Sequence, residues 1–274
     1  MQQRIGVRPV IRALPFPLRL GLDGFARWGW RAASFVVVFG LWEFAGRLPI
    51  SLAFPPFSAT LAAFVDMIGD GSFVKAYAQT MPPLLIGLFI IGTGGVLAGV
   101  GMGLSRGIEW LLLPMFVILQ TAPVAAIVPI VTYVYGIGFA AKTISVIMLS
   151  APLVVLNCYK GVRHTDPSLL QMCRSFLGTR RQEIFKIILP QASPIIFAGL
   201  RLGVSGGFLG IILAEILITP TGIGDLITYN RSTLEFPRMY AAILSTVLLS
   251  TTTLAVLARI ERRLFGAARR APTM

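Results

Sequence analysis

Long apolar runs separated by short polar stretches dominate the chain. Residues 82–105 carry no charge over 24 positions, enough for a helix rising 1.5 Å per residue to cross a hydrocarbon layer of roughly 30 Å. Similar runs predict spans over residues 32–45, 110–135, 139–159, 194–218 and 240–258, giving six in all. The first is short and flanked by Trp28, Trp30 and Trp42, residue types that settle at the membrane–water boundary. Residues 46–81 hold Pro49, Pro55, Pro56, Asp66, Asp70 and Lys75 and read as an outer segment with some helix after Ser58. The third run contains Pro114, Pro123 and Pro129, which predicts a kinked or broken helix. Broken helices survive in lipid only where protein or an aqueous cavity covers the freed carbonyls, so this span is expected to be central. Gly95, Gly99 and Gly103 recur every fourth residue and flatten one helix face, for packing within the chain or for a moving interface.

Between the fourth and fifth spans lies a charged stretch, residues 166–190, that reads as a hairpin of two short helices. Asp166 suits an N-cap and Pro167 the first helical position, where a missing N–H has no partner to lose. Gly178 is expected to end this helix. Thr179 followed by Gln182 forms a reciprocal capping pattern that starts the second, and Pro190 marks its end. Leu169, Leu170, Cys173, Phe176 and Leu177 fall on one face. Ten helical residues rise only about 15 Å, so this stripe cannot span a bilayer and needs a partner surface.

Composition agrees with a polytopic membrane protein. Of 274 residues, 55% are hydrophobic and only 13% charged, and the mean hydropathy is +0.80. The net charge of +13 is distributed by side. Six arginines lie in residues 1–31, Arg106 follows the second span, six basic residues lie between Lys160 and Lys186, and five follow residue 258. The opposite side holds Arg47, Lys75, Lys142, Arg231 and Arg238. That asymmetry encodes orientation, with both termini and the hairpin cytoplasmic, and contact with anionic lipid; it does not indicate nucleic acid. The tails are therefore residues 1–31 and 265–274, flanking one membrane domain over 32–264.

No catalytic constellation is present. The chain has no phosphate-binding Gly-Lys-Ser/Thr loop, nucleophile elbow or zinc-binding helix. Cys158 and Cys173 do not suggest a disulfide, and the single His164 reads as a loop histidine, not a metal ligand. Arg201 is expected to reach headgroups. Glu215, deep in the fifth span, must face protein, water or a partner, either as a pathway group or as a hydrogen-bonded packing residue.

The order of motifs resembles the inner-membrane permease subunits of bacterial ABC importers in the nitrate, sulfonate and taurine family. The matching pieces are T-A-P-V-A-A-I-V-P-I from Thr121, Y-G-I-G-F-A-A-K-T from Tyr135, G-V-R-H-T-D-P from Gly161, P-I-I-F-A-G-L-R-L-G from Pro194 and G-I-G-D-L-I from Gly222. In that family a cytoplasmic loop of pattern E-A-A, three residues, Gly, nine residues, I-x-L-P docks on the ATPase. Aligned on Ile187, Leu189 and Pro190, its E-A-A positions fall on Gln171, Met172 and Cys173 and its glycine on Leu177, one residue before Gly178.

The resemblance implies an all-α, six-span permease of the type I importer kind, non-catalytic and without a cofactor of its own. It implies a second copy of the chain, a partner ATPase holding ATP and Mg, and a periplasmic solute-binding protein. Leu169, Leu170, Cys173, Arg174, Phe176, Leu177, Gly178, Arg180, Arg181 and Pro190 would couple to the ATPase, while Pro123, Pro129 and Glu215 are pathway candidates. The implied cargo is a small sulfonate, taurine or nitrate anion, the alternative a pyrimidine vitamin precursor or an aromatic carboxylate. A self-sufficient secondary transporter would need inverted repeats and midplane carboxylates, of which only Glu215 is a candidate.

Overall fold

The computed structural model describes residues 24–48, 51, 53–218 and 220–265, so the expected tails lie largely outside the described residues. Among the described residues ten helices run in order: α1 (Gly24–Arg47), α2 (Phe57–Gly69), α3 (Ser72–Leu104), α4 (Arg106–Thr121), α5 (Val124–Tyr135), α6 (Phe139–Arg163), α7 (Pro167–Ser175), α8 (Arg180–Leu217), α9 (Ile223–Ser232) and α10 (Phe236–Phe265). Among the described residues α3, α6, α8 and α10 are long and apolar enough to cross a membrane, and α4 with α5 makes a fifth if the bent pair is one span. The first expected span, residues 32–45, lies within α1, which is 24 residues long.

The helix boundaries differ from expectation at prolines. Helix α3 begins ten residues before residue 82, and Pro82 and Pro83 lie inside it. Prolines there free the carbonyls of Ala78 and Gln79, and all four residues line one cleft of about 290 Å³. Helix α8 likewise runs through Pro190 and Pro194 without stopping. A π-turn over Glu183–Ile188 comes immediately before, widening the helix where Pro190 removes a backbone donor. Only Pro123 breaks its segment: α4 and α5 meet there at 112°, whereas Pro114 and Pro129 sit within helices. This broken pair is not central within the single chain. Helix α4 buries none of its residues and Trp110 and Tyr133 are exposed, although Val128 and Val131 of α5 pack inward.

Helix α6 is the central post. In its most apolar window 61% of residues are buried, against 28% for α3 and 22% for α10, and its packing along α8 is the most extensive in the molecule. Close approach explains the glycine spacing. A Cβ added at Gly99 of α3 would lie 2.5 Å from the Val155 carbonyl, and one at Gly210 of α8 would lie 2.6 Å from the Ser145 carbonyl. The four-residue glycine stripe thus packs against α6 within the chain. Ser150 Oγ donates to the Gly203 carbonyl at 2.8 Å, adding a direct α6–α8 bond. Arg201, expected to reach headgroups, instead pairs with Glu261 of α10 at 3.0 Å.

Candidate functional site

The hairpin forms as its caps predict, with one change of register. Asp166 accepts a hydrogen bond from the Ser168 N–H at 2.8 Å, and this backbone donor holds its carboxyl below the usual carboxylate range. The contribution of this cap is complete at neutral pH and fades as acid protonates Asp166 through its lowered pKa. The Thr179 hydroxyl accepts from Gln182 N–H at 3.4 Å while the Gln182 amide oxygen accepts from Thr179 N–H at 2.8 Å. The end of α7 is set by Leu177, not by Gly178. Leu177 takes the left-handed backbone, φ 55°. Its N–H bonds to the Arg174 carbonyl at 2.9 Å and that of Gly178 to the Cys173 carbonyl at 2.9 Å, the paired bonds of a left-handed helix terminus. Leu177 therefore occupies the position the family pattern gives to glycine. Gly178 is needed for a different reason: a Cβ there would collide with Cys173 Sγ and lie 2.8 Å from its carbonyl.

A leucine in this conformation costs about 1 kcal/mol. Its side chain is 91% exposed, so no packing within the chain compensates. Leu177→Gly is expected to strengthen the isolated hairpin by about 0.5–1 kcal/mol after the extra backbone entropy of glycine is deducted. Slower hydrogen exchange at the residue 177 and 178 amides would report it.

Two internal ties brace the hairpin. Glu183 is buried and receives Arg174 Nε at 2.7 Å and Arg180 Nη1 at 2.8 Å, clamping α7 to the start of α8. Leu170 packs on Val162, Ile188 and Ala192, fixing α7 to the ends of the spans. The expected apolar stripe consequently divides. Leu170 and Cys173 turn toward the body, whereas Leu169, Phe176 and Leu177 remain outward, Phe176 being 81% exposed. Met172, which the sequence left out of the apolar stripe, and Phe185 on the other arm are exposed as well. Arg174 and Arg180 are engaged within the chain; Arg181 is exposed and has no ion-pair partner among the described residues. Pro190 is exposed within α8, and the His164 ring nitrogen meets the Lys160 carbonyl at 2.7 Å.

At the other end of the spans Glu215 sits in a buried knot. Lys142 Nζ donates to Glu215 Oε1 at 2.8 Å and to the Thr221 carbonyl at 2.9 Å. The Thr80 hydroxyl donates to the same carboxylate at 2.9 Å while accepting from Ile223 N–H at 3.0 Å, and Gly224 N–H donates to Glu215 Oε2 at 2.9 Å. Residues Lys142 and Glu215 are each 2% exposed. The carboxylate thus caps the N-terminus of α9 from α8, and α3 and α6 contribute its other partners. Gly222, at φ 95°, lies against the carboxylate, where any Cβ would collide with it. Lys142 is not the outer surface charge expected from sequence; a lysine four residues into an apolar helix was the signal that a buried partner exists. Pro123 and Pro129 are not among the partners of Glu215.

A family model described as binding-protein-dependent transport system inner membrane component matches residues 90–266. The chain belongs to this family. It is a multi-pass inner-membrane permease subunit of a binding-protein-dependent ABC importer, non-catalytic itself, whose ATP hydrolysis is performed by a separate ATPase. Among its relatives is the putative aliphatic sulfonates transport permease protein SsuC of Bacillus subtilis, 26% identical over 88% of this chain and 89% of the relative. The taurine transport system permease protein TauC of Escherichia coli is 26% identical over 68% of this chain and 70% of its own length. The fold is shared with the solved structure of an amino acid ABC transporter crystallised with histidines, at TM-score 0.61 and 17% identity, covering 73% of this chain and 98% of that one.

Proposed function

We propose that the α7–α8 hairpin is the lever through which the partner ATPase drives the permease, and that the permease moves a small sulfonate-type anion inward by alternating access. The observation that carries the first part is the outward apolar face of Leu169, Met172, Phe176 and Leu177 on a short, charged, internally braced segment. A lever must transmit displacement without bending. The Glu183 clamp and the Leu170 anchor supply that stiffness, while the exposed face supplies a grip for a groove on the ATPase. Leu177 adds to the reading, because its strained backbone places an apolar side chain where glycine would offer none. ATP and Mg reside in the ATPase, and this chain holds no cofactor.

The pathway forms against a second copy of the chain. In support, the α4–α5 break at Pro123 lies on the outside of the single chain, where its freed carbonyls would meet lipid unless protein or water covered them. Pro123 and Pro129 then flank the pathway. In this reading the chain has six spans, counting α1 and treating α4 with α5 as one, with both termini on the hairpin side in the cytoplasm and the Glu215 end toward the periplasmic binding protein. The names of the sulfonate and taurine relatives support the cargo class. The test is reconstitution of the chain with its ATPase in vesicles with the solute-binding protein outside. Uptake of taurine or an alkanesulfonate that requires ATP inside supports the reading; uptake without ATPase would overturn it.

A further inference from the structure

We propose that the hairpin-side cleft between α3, α4, α6 and α8 is a binding site for a phosphate group. This cleft, of about 260 Å³, is lined by Arg106, Arg163 and Arg180, and no carboxylate lines it. The three arginines come from three separate elements: the first residue of α4, the last of α6 and the first of α8. Two of them share their carboxylate partners with other groups. Arg163 pairs with Glu109 at 3.0 Å and Arg180 with Glu183 at 2.8 Å, but Glu183 is already shared with Arg174 and Glu109 with the Tyr159 hydroxyl. Arg106 has no ion-pair partner among the described residues. Ser105, the N-cap of α4, makes no side-chain capping bond, so the free backbone donors of that helix end add to the positive potential.

Three arginines brought to one cleft from three elements can meet the several oxygens of a phosphate, and Arg106 has no carboxylate of the chain paired with it among the described residues. The cleft also lies where long apolar helices end, the depth of lipid headgroups. The phosphate can belong to an anionic phospholipid or be free in the aqueous phase; the oxygen chemistry is the same. Either occupant would join Arg180 of the hairpin to Arg106 and Arg163 at the ends of two neighbouring elements. The base of the hairpin would then be tightened by an anion and not only by packing.

The test follows the melting temperature of the full chain in a non-ionic detergent during titration with short-chain phosphatidylglycerol, short-chain phosphatidylcholine or inorganic phosphate, with chloride at matched ionic strength as reference. Phosphatidylglycerol is expected to raise the melting temperature. Arg106→Gln and Arg163→Gln are each expected to shift the half-saturating concentration upward by roughly ten-fold, one lost charge-assisted bond. Arg231→Gln, at an exposed position of α9, should respond as wild type. A response to phosphatidylglycerol alone identifies a lipid headgroup, and a response to inorganic phosphate as well identifies a site for the free anion. No response to either, equal response to phosphatidylcholine, or an unchanged response in both arginine variants overturns the proposal.

Discussion

Lys142→Met alone is expected to destabilise the permease by about 3–5 kcal/mol and Glu215→Gln alone by a comparable amount, while the double variant loses much less than their sum. The pair is 2.8 Å apart with side chains at most 3% exposed. In such a place a lone charge has neither water nor a counter-charge. Removing the ammonium leaves a carboxylate with only Thr80 and Gly224 N–H as donors. Removing the carboxylate's charge leaves the ammonium with the Thr221 carbonyl and an amide oxygen. Removing both charges eliminates the desolvation penalty of each, so the double variant is limited mainly by imperfect capping of α9. Thermal unfolding of the detergent-solubilised protein checks the order. Additive losses would mean that the two charges act independently and that the knot is not a coupled pair.

The same three proteins separate the two roles open to Glu215. If its charge serves only to hold α9 against α3, α6 and α8, the double variant regains transport along with stability. If the carboxylate itself acts on the pathway, stability returns and transport does not. Stability and uptake must therefore be read together, because a single substitution at Glu215 lowers both under either role.

Much of the fold was legible because a bilayer imposes a simple rule: an apolar run long enough to span must be helical. The start of α6 at Phe139 and both hairpin caps followed directly from local chemistry, since each depends on residues within a few positions of one another. What sequence did not resolve depends on contacts between distant segments. Pro190 and Pro82 were read as boundaries, but neighbouring helices and a π-turn hold the chain helical across them. Lys142 and Glu215 are 73 positions apart, and nothing local in either segment names the other. Leu177 illustrates a subtler failure. Gly178 is the residue that favours a left-handed turn, yet the family spacing already pointed one residue earlier, and close approach to Cys173 gives Gly178 its own reason to lack a side chain. The division of the apolar stripe could not be read from helical periodicity alone, because which side of α7 faces the body is decided by Val162, Ile188 and Ala192.

Phe176→Asp is expected to abolish stable association with the ATPase while leaving the membrane domain folded. The side chain is 81% exposed, so its removal opens no cavity. The residue caps α7 with φ −88° and ψ 18°, a conformation open to aspartate. A negative charge at a helix C-terminus costs only a few tenths of a kcal/mol at an exposed site. The cost falls instead on the complex. Aromatic anchors at the centre of an interface contribute about 2–4 kcal/mol, and a carboxylate in their place must also be desolvated. Association should weaken roughly 100-fold or more, enough to lose the partner during purification. Wild type and variant are solubilised side by side with the ATPase co-expressed; equal melting temperatures together with loss of the ATPase from the variant alone would establish the outward face as the grip. Retention by the variant would move the contact elsewhere on the hairpin, first to Phe185, which is 66% exposed on the opposite arm. Leu177→Gly then resolves what the strained leucine is for. A hairpin that becomes more stable yet holds the ATPase less tightly would mean that the chain accepts backbone strain to keep an apolar side chain in its partner's groove.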